Sequence, residues 1–534
     1  MRPPRPILPL SLRRVAALAL LVCLPLLQAC GSLPLDVPRP VSTAWPAPQD
    51  SALGRAYAPQ LAAQPGLSGL HALPAGIDAF AARVGLAEAA LHTLDLQYYI
   101  VRDDTSAQLL LARVLGAAQR GVRVRLLVDD LDAQGKDLDL ATLASFAHVE
   151  VRVFNPFASR GAFGLLHVLE YLGDPQRLNR RMHNKLWIAD NAMAVVGGRN
   201  LGDEYFDAGG EVNFADLDLL VAGPAVAEAS RSFDAFWNSR WALPIQAFAP
   251  APPSAADRAD LQQRLRAQAE TFRGTEYAAA LREARLASTL RNGQLRLLAA
   301  PVTVVFDDPS KVDAPDEDPV PSSLFTTRIR PLMSAARREL ILVSPYFIPT
   351  EAGVAGLGAL VKRGVRVRVL TNSLASADAV PLAHAGYARR RAQLVDAGVE
   401  LHEMRPDRAE LPRRRAGRSS GAYLHTKAII VDRRQLVVGS MNLDPRSRLS
   451  NTELGLLVDS PELADALARL FDDAVRPARA FGVARAERGN PASPLRWTTE
   501  DEGSLVQHDH EPLTTPWRRA LSRLLQWIAP DELL

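Results

Sequence analysis

Residues 182–200 read MHNKLWIADNAMAVVGGRN, and residues 424–442 read LHTKAIIVDRRQLVVGSMN. Each copy has a His, a Lys two residues on, an Asp five beyond that, and an apolar run closing on Gly-Gly or Gly-Ser and then x-Asn. The repeat extends upstream. LDLQYYI (94–100) leads through a helical stretch to RGVRVRLLVDD (120–130), and LILVSPYFI (340–348) leads likewise to RGVRVRVLTNS (363–373). From Gly121 to His183 is 62 residues, and from Gly364 to His425 is 61. Strand, helix, strand and His segment recur in one order at nearly one spacing. That predicts two α/β domains of duplicated topology, each with a mostly buried sheet.

The repeat places the domains at 76–249 and 301–480. Between them, 250–300 begins rich in Pro and Ala and then reads as charged helix (ADLQQRLRAQAETF), a helical linker. Residues 405–420, with Arg413, Arg414 and Arg415, read as a solvated polar loop inserted before the second His. The C-terminal extension, 481–534, ends in PWRRALSRLLQWIAPDELL. There Trp517, Leu521, Leu524, Leu525 and Ile528 share a helical face, with Arg518, Arg519 and Arg523 largely off it. Such an amphipathic helix suits either packing on its own domain or lying in a lipid headgroup region.

The chain opens with a basic stretch (Arg13, Arg14), a short apolar run and Leu27-Gln28-Ala29-Cys30. The run is too short and Pro-interrupted to span a membrane, so 1–29 reads as a signal peptide. The last four residues resemble a bacterial lipobox, which implies cleavage before Cys30 and its acylation. Gly31, rather than Asp, leans toward the periplasmic face of a Gram-negative outer membrane. Residues 30–75, rich in Pro, Ala and Gly, read as a lipidated tether.

In strand geometry His425 and Lys427 share a face, as do His183 and Lys185, because side chains alternate. Asp190 and Asp432 have the opposite parity and read as structural members of the motif. The return strands bring Gly198 and Asn200, and Ser440 and Asn442, back toward the His ends. Each copy thus presents an imidazole, an ammonium and an amide beside small residues, a set suited to a phosphate: cation and amide for the oxygens, imidazole for the chemistry. Only five of the 62 basic residues are lysines, and two of the five sit in these copies. Those positions call for a compact ammonium rather than a planar guanidinium. A formal net charge of +3 gives no reason to expect a nucleic-acid-binding stripe. The two cysteines, Cys23 and Cys30, lie in the leader, and no Cys/His/carboxylate cluster suggests a metal or other cofactor.

FADLDLLV (214–221) matches NTELGLLV (451–458), which places Asp216 opposite Glu453. A carboxylate on the distal imidazole nitrogen would fix the tautomer and raise its basicity. Asp218 is a rival for that role in the first half.

The doubled His-x-Lys-x4-Asp with its Gly-rich tails resembles the phospholipase D superfamily, over almost all of the chain from about residue 70. NRRMHNK, GGRNLGDEYF, DDPSK, NSLASADAVPLAHAGYARRR, GSMNLDPRS and PWRRALSRLL resemble, more narrowly, the bacterial cardiolipin synthase C branch. The resemblance implies two α/β domains related by a pseudo-twofold axis, with one active site at their interface. It implies a phosphatidyltransferase that joins phospholipids through a phosphohistidine, with hydrolysis when water is the acceptor. By family analogy His183 is the nucleophile and His425 the acid and base. Lys185, Lys427, Asn200 and Asn442, beside Gly198 and Ser440, hold the phosphate oxygens. No cofactor is implied. The implied partners are a membrane surface and phospholipids, with phosphatidylglycerol and phosphatidylethanolamine the candidate donors. Two other readings share the sequence: an exported phosphodiesterase or nuclease of the superfamily, and an inactive lipid-binding scaffold.

Overall fold

The computed structural model describes residues 33–133, 135–160, 165–209, 212–249, 251–314, 323–376, 381–406 and 421–528. The signal peptide, Cys30 and Arg413–Arg415 lie outside them.

Two mixed sheets carry the duplication. The first runs, edge to edge, Leu298–Ala300, Ser68–Leu73, Asp218–Ala222, Met193–Gly197, Leu186–Ala189, Thr93–Tyr98, Arg123–Asp129, Val149–Phe154 and Ala242–Pro244. The second begins Val302–Phe306, Leu454–Asp459, Gln435–Gly439, Ala428–Val431, Glu339–Val343, Arg366–Asn372, Glu400–Met404 and Ala480–Arg485. From Ser68–Leu73 onward the first sheet follows the same order as the second, strand for strand, and Leu298–Ala300 is an added edge strand. In each sheet three consecutive strands are parallel, linked through helices, and the His hairpin pairs antiparallel beside them.

The burial explains the sequence pattern. The outer face of the first sheet packs on Gly76–Ala89, Thr105–Gln119 and the linker helices. The outer face of the second packs on Glu351–Lys362 and Pro381–Asp396. Between the sheets lies an apolar cluster drawn from both halves, including Phe233, Phe236 and Trp237 with Leu463, Leu467 and Phe471. Strands covered on both faces need continuous apolar runs such as AIIV and MAVV. The halves share a core, so relative motion between them would break it.

Some segments differ from their sequence reading. The stretch read as a tether carries the helix Ala52–Ala62 and the strand Ser68–Leu73, with Leu53, Tyr57, Leu70 and Leu73 buried. Its alanines are good helix formers, and composition alone did not distinguish a helix from a flexible arm. The linker is helical over Ala255–Arg273, Glu276–Ala284 and Leu286–Arg291, but its last strand, Leu298–Ala300, joins the first sheet. The C-terminal extension adds Leu495–Asp501 and Ser504–His508 to the second sheet and buries Trp497.

Candidate active site

The two His segments approach each other because each zips onto the opposite half. Val212–Ala215 pairs in parallel with Gly421–Leu424. His425 N and Thr426 N both donate to Ala215 O, at 2.8 and 3.0 Å. In the mirror position Met182 bridges to Thr452; His183 N donates to Thr452 O and Thr452 N to Arg181 O, each at 2.9 Å. The regular strands begin at Leu186 and Ala428, one residue after each Lys. The His-x-Lys segments are thus extended ends feeding the hairpins rather than strand interiors.

This exchange decides which carboxylate meets which imidazole. His425 Nδ1 lies 2.6 Å from Asp216 Oδ2, and His183 Nδ1 lies 2.9 and 3.1 Å from the Glu453 oxygens. Both pairs cross between halves. Asp218, the rival, instead pairs with Arg83 at 2.9 Å and Arg199 at 3.5 Å, buried away from either imidazole. With Nδ1 donating to a carboxylate, Nε2 is the ring nitrogen left for chemistry. Gly198 makes room for one carboxylate: a Cβ there would meet Asp216 Oδ1 at 2.3 Å. At the matching position Ser440 Oγ donates to Glu453 Oε2, and Leu454 N donates to that Oγ at 3.0 Å.

The lysines fold back on their own segments. Lys185 Nζ donates to His183 O at 2.6 Å, and Lys427 Nζ to His425 O at 2.5 Å, 3.1 Å from His425 Nδ1. Burial, then the neighbouring lysines, hold His183 well below the usual imidazole range. Burial, then Lys427, push His425 down to about 3. Both rings are therefore neutral near pH 7. Burial also lowers the lysines, Lys185 strongly and Lys427 to about 8. It raises Glu453 to about 7. At Asp216 burial works in the same direction, but His425, Lys427 and Arg199 outweigh it and hold the carboxylate below its ordinary range. An anion entering this cluster would favour both ammonium forms, so the arrangement suits a phosphodiester.

Other motif residues sit differently from their sequence reading. Asp190 and Asp432 touch no imidazole. Asp190 accepts the N–H groups of Leu91, His92 and Thr93, and Asp432 those of Arg337, Arg338 and Glu339. Each ties its hairpin turn to the start of the neighbouring strand, from the left-handed backbone region (φ 53° and 55°). Their opposite parity marks them as structural, and each makes its contact with the adjacent strand. Gly198 and Ser440 do not offer their N–H groups to a ligand, because these donate to Leu217 O and Leu454 O. Their part is toward the carboxylates. Asn200 Nδ2 donates to Tyr205 Oη at 2.9 Å, while the buried Asn442 Oδ1 has no partner among the described residues.

Sequence reasoning missed the aromatic walls. Tyr99 stands edge-on to His183 with centroids 5.0 Å apart, and Lys185 Nζ lies 5.2 Å from the Tyr99 ring. Tyr205 and Phe214 enclose His425 at 5.2 and 5.1 Å. It also missed the brace behind Glu453. Lys311 Nζ donates to Asp307 Oδ2, Ser447 O and Asn451 O, and Asp307 Oδ2 accepts Glu453 N at 3.1 Å. The DDPSK motif and its Lys, one of only five, were the available signals. Among the described residues no cluster of three or more His, Cys, Asp or Glu side chains is placed to hold a metal ion.

A family model described as "Cardiolipin synthase, PLD-like domain" matches residues 85–237 and again 329–475. Cardiolipin synthase C of Escherichia coli (strain K12) is 39% identical over 486 residues, spanning 90% of this chain and 99% of that protein. An uncharacterized protein of Helicobacter pylori is 30% identical over 504 residues, spanning 91% of this chain and 93% of its own. Among solved structures, a phosphatidylserine synthase of Haemophilus influenzae Rd KW20 has the same fold, with a TM-score of 0.55 at 14% identity, covering 90% of this chain and 100% of that one.

Proposed function

The chain belongs to the cardiolipin synthase family of phospholipase D-like enzymes, and from that premise we propose that it makes cardiolipin by transphosphatidylation between phospholipids. The observation that carries this reading is the crossed pairing of His183 with Glu453 and His425 with Asp216. It supports one site made of two half-sites, each imidazole oriented with Nε2 available.

In the proposed double displacement, His183 Nε2 attacks phosphorus and an N–P bond replaces the P–O bond of the leaving alcohol. His425, which gains a proton on Nε2 when the anionic phosphodiester binds, gives that proton to the leaving alcohol, then takes one from the acceptor hydroxyl as the new P–O bond forms and the N–P bond breaks. Lys185, Lys427 and the Asn442 amide stabilise the non-bridging oxygens as charge builds. A glycerol hydroxyl of phosphatidylglycerol as acceptor yields cardiolipin, and water yields phosphatidic acid. Incubation of the purified protein with defined mixtures of phosphatidylglycerol and phosphatidylethanolamine, read by lipid mass spectrometry, is expected to show cardiolipin. Cleavage of DNA with no lipid turnover would favour the nuclease reading, and liposome binding without turnover the scaffold. Because side chains supply both the nucleophile and the cations, turnover is expected to survive EDTA. Loss on chelation, restored by a divalent ion, would point to another mechanism.

The proposed location is the membrane surface, held by an acyl anchor on Cys30 and by the C-terminal helix. Among the described residues no helix is long and apolar enough to cross a membrane. The helix Pro516–Ile528 rests on Pro381–Asp396 through a polar edge: Ser522 is buried, and Arg389 donates to Gln526 O. Its outward side carries Trp517, Leu524 and Trp527, which are 76%, 55% and 91% exposed, beside the exposed Arg523. A helix that buries its serine and shows its tryptophans suits a lipid interface better than a core. A form lacking residues 1–30 is expected to bind anionic liposomes. Trp517→Ala with Trp527→Ala should weaken that binding about tenfold or more without changing the melting temperature. Unchanged binding removes the helix from the membrane role.

A further inference from the structure

We propose that a cavity in the first half holds an acyl chain of the phospholipid whose phosphate is carried by His183; this rests on the lipid reading above. The cavity lies beyond the carboxyl ends of the parallel strands Thr93–Tyr98 and Arg123–Asp129, where α/β sheets place ligand crevices. Its walls are Leu111 from one helix, Leu140 and Leu143 from a second, and Leu261 and Leu265 from the linker helix Ala255–Arg273. Its inner end is formed by Tyr99 and Asp129. Tyr99 is the ring edge-on to His183. Asp129 accepts the N–H of Met182, the residue before His183, at 2.8 Å. The inner end is thus one side chain from the imidazole.

Three observations favour an alkyl chain as the occupant. The volume is about 80 Å³, room for about half a dozen water-sized groups. Leucine walls give such waters few partners, whereas methylene groups are matched to them. Next, the cations at the outer rim are already paired: Arg102 with Asp132 and Glu204, Lys136 with Asp132, and Arg264 with Asp139. The rim therefore has little unbalanced charge with which to attract a phosphate, and a headgroup fits poorly. Finally, among the described residues the second half lacks the space. There the bridge Val101–Leu201 is replaced by Phe347–Leu443, and Asn372 takes the place of Asp129. The equivalent cavity, lined by Phe347, Asn372, His384 and Tyr387, is only about 10 Å³. Phe347 occupies room that Val101 leaves open. The duplication is broken at the half that carries the proposed nucleophile, and there the linker helix supplies the third wall. A chain held there would keep the phosphatidyl group in place while the first alcohol leaves and the second arrives.

Two measurements test this, both on the full-length protein. In the first, wild-type protein is irradiated with phosphatidylglycerol bearing a diazirine in one acyl chain. Crosslinks are expected in 105–119, 137–144 or 255–273, and crosslinks confined to other segments would overturn the proposal. In the second, kcat/KM is followed along a series of phosphatidylglycerols of increasing chain length. It is expected to rise roughly fourfold per methylene group while the chain still fills the cavity. Leu140→Phe and Leu265→Phe should flatten that rise. A well-folded filled variant that keeps the wild-type rise overturns the proposal. If both variants prove unstable, the crosslink positions in wild-type protein decide. Crosslinking at these helices without any lipid turnover would keep the cavity and refute the transferase reading. Turnover with crosslinks only elsewhere would do the opposite.

Discussion

Alanine at His183 or at His425 is expected to lower phospholipid turnover by about four orders of magnitude or more, with the fold retained. Each imidazole is held in one tautomer by a carboxylate from the other half, and each is neutral near pH 7 because burial and nearby lysines disfavour its cation. A neutral imidazole is ready to attack. To act as an acid, the other ring must gain a proton, and an incoming phosphodiester makes that easier by offsetting Lys185 and Lys427. Neither step has a substitute side chain in the same place. The two variants should part on a phosphodiester whose leaving group needs no proton, such as a nitrophenyl ester. There His425→Ala should still accumulate an acid-labile phosphoenzyme, while His183→Ala should form none. The reverse outcome would exchange the roles. Near-normal turnover by either variant, with circular dichroism confirming its fold, would remove the composite site altogether.

The parts of the site that could be read from the sequence are those written locally. His183, Lys185 and Asn200 fall within eighteen residues, as do His425, Lys427 and Asn442, and the strand period alone sets which side chains share a face. Parity likewise separated Asp190 and Asp432 from the imidazoles. The crossed carboxylates were not legible. Matching FADLDLLV to NTELGLLV selects Asp216 and Glu453, but their partners depend on Val212–Ala215 pairing with Gly421–Leu424, contacts some 200 residues apart in the chain. Nothing local encodes that pairing. Tyr99 and Tyr205 failed for the same reason, since an aromatic after a strand is ordinarily core. The C-terminal stripe shows another limit. Helical periodicity correctly groups Trp517 with Leu524 but is silent on whether their side meets protein or solvent, and Ser522 turns out to face inward.

The crossed pairs lead to the second large effect, in Asp216→Asn and Glu453→Gln, each expected to cost about two to four orders of magnitude in kcat. Loss of rate alone would not separate orientation of the ring from simple disruption, but the pH profiles do. Asp216 raises the proton affinity of His425, both through its charge and through the hydrogen bond. Removing its charge lowers that affinity further. A general acid works only while protonated, so the alkaline limb of kcat should move to lower pH in Asp216→Asn, and part of the lost rate should return on acidification. Glu453 serves the other ring and behaves differently. Burial holds its carboxyl up at about 7, so Gln mimics the protonated form already populated below that pH. The deficit of Glu453→Gln should therefore be smallest in acid and grow as pH rises through about 7, where the wild-type carboxylate becomes charged and can stabilise the phosphorylated His183. If both variants lose rate equally at every pH, the carboxylates act only as buried scaffolding. If Glu453→Gln instead shifts the alkaline limb and Asp216→Asn does not, His183 is the acid and His425 the nucleophile.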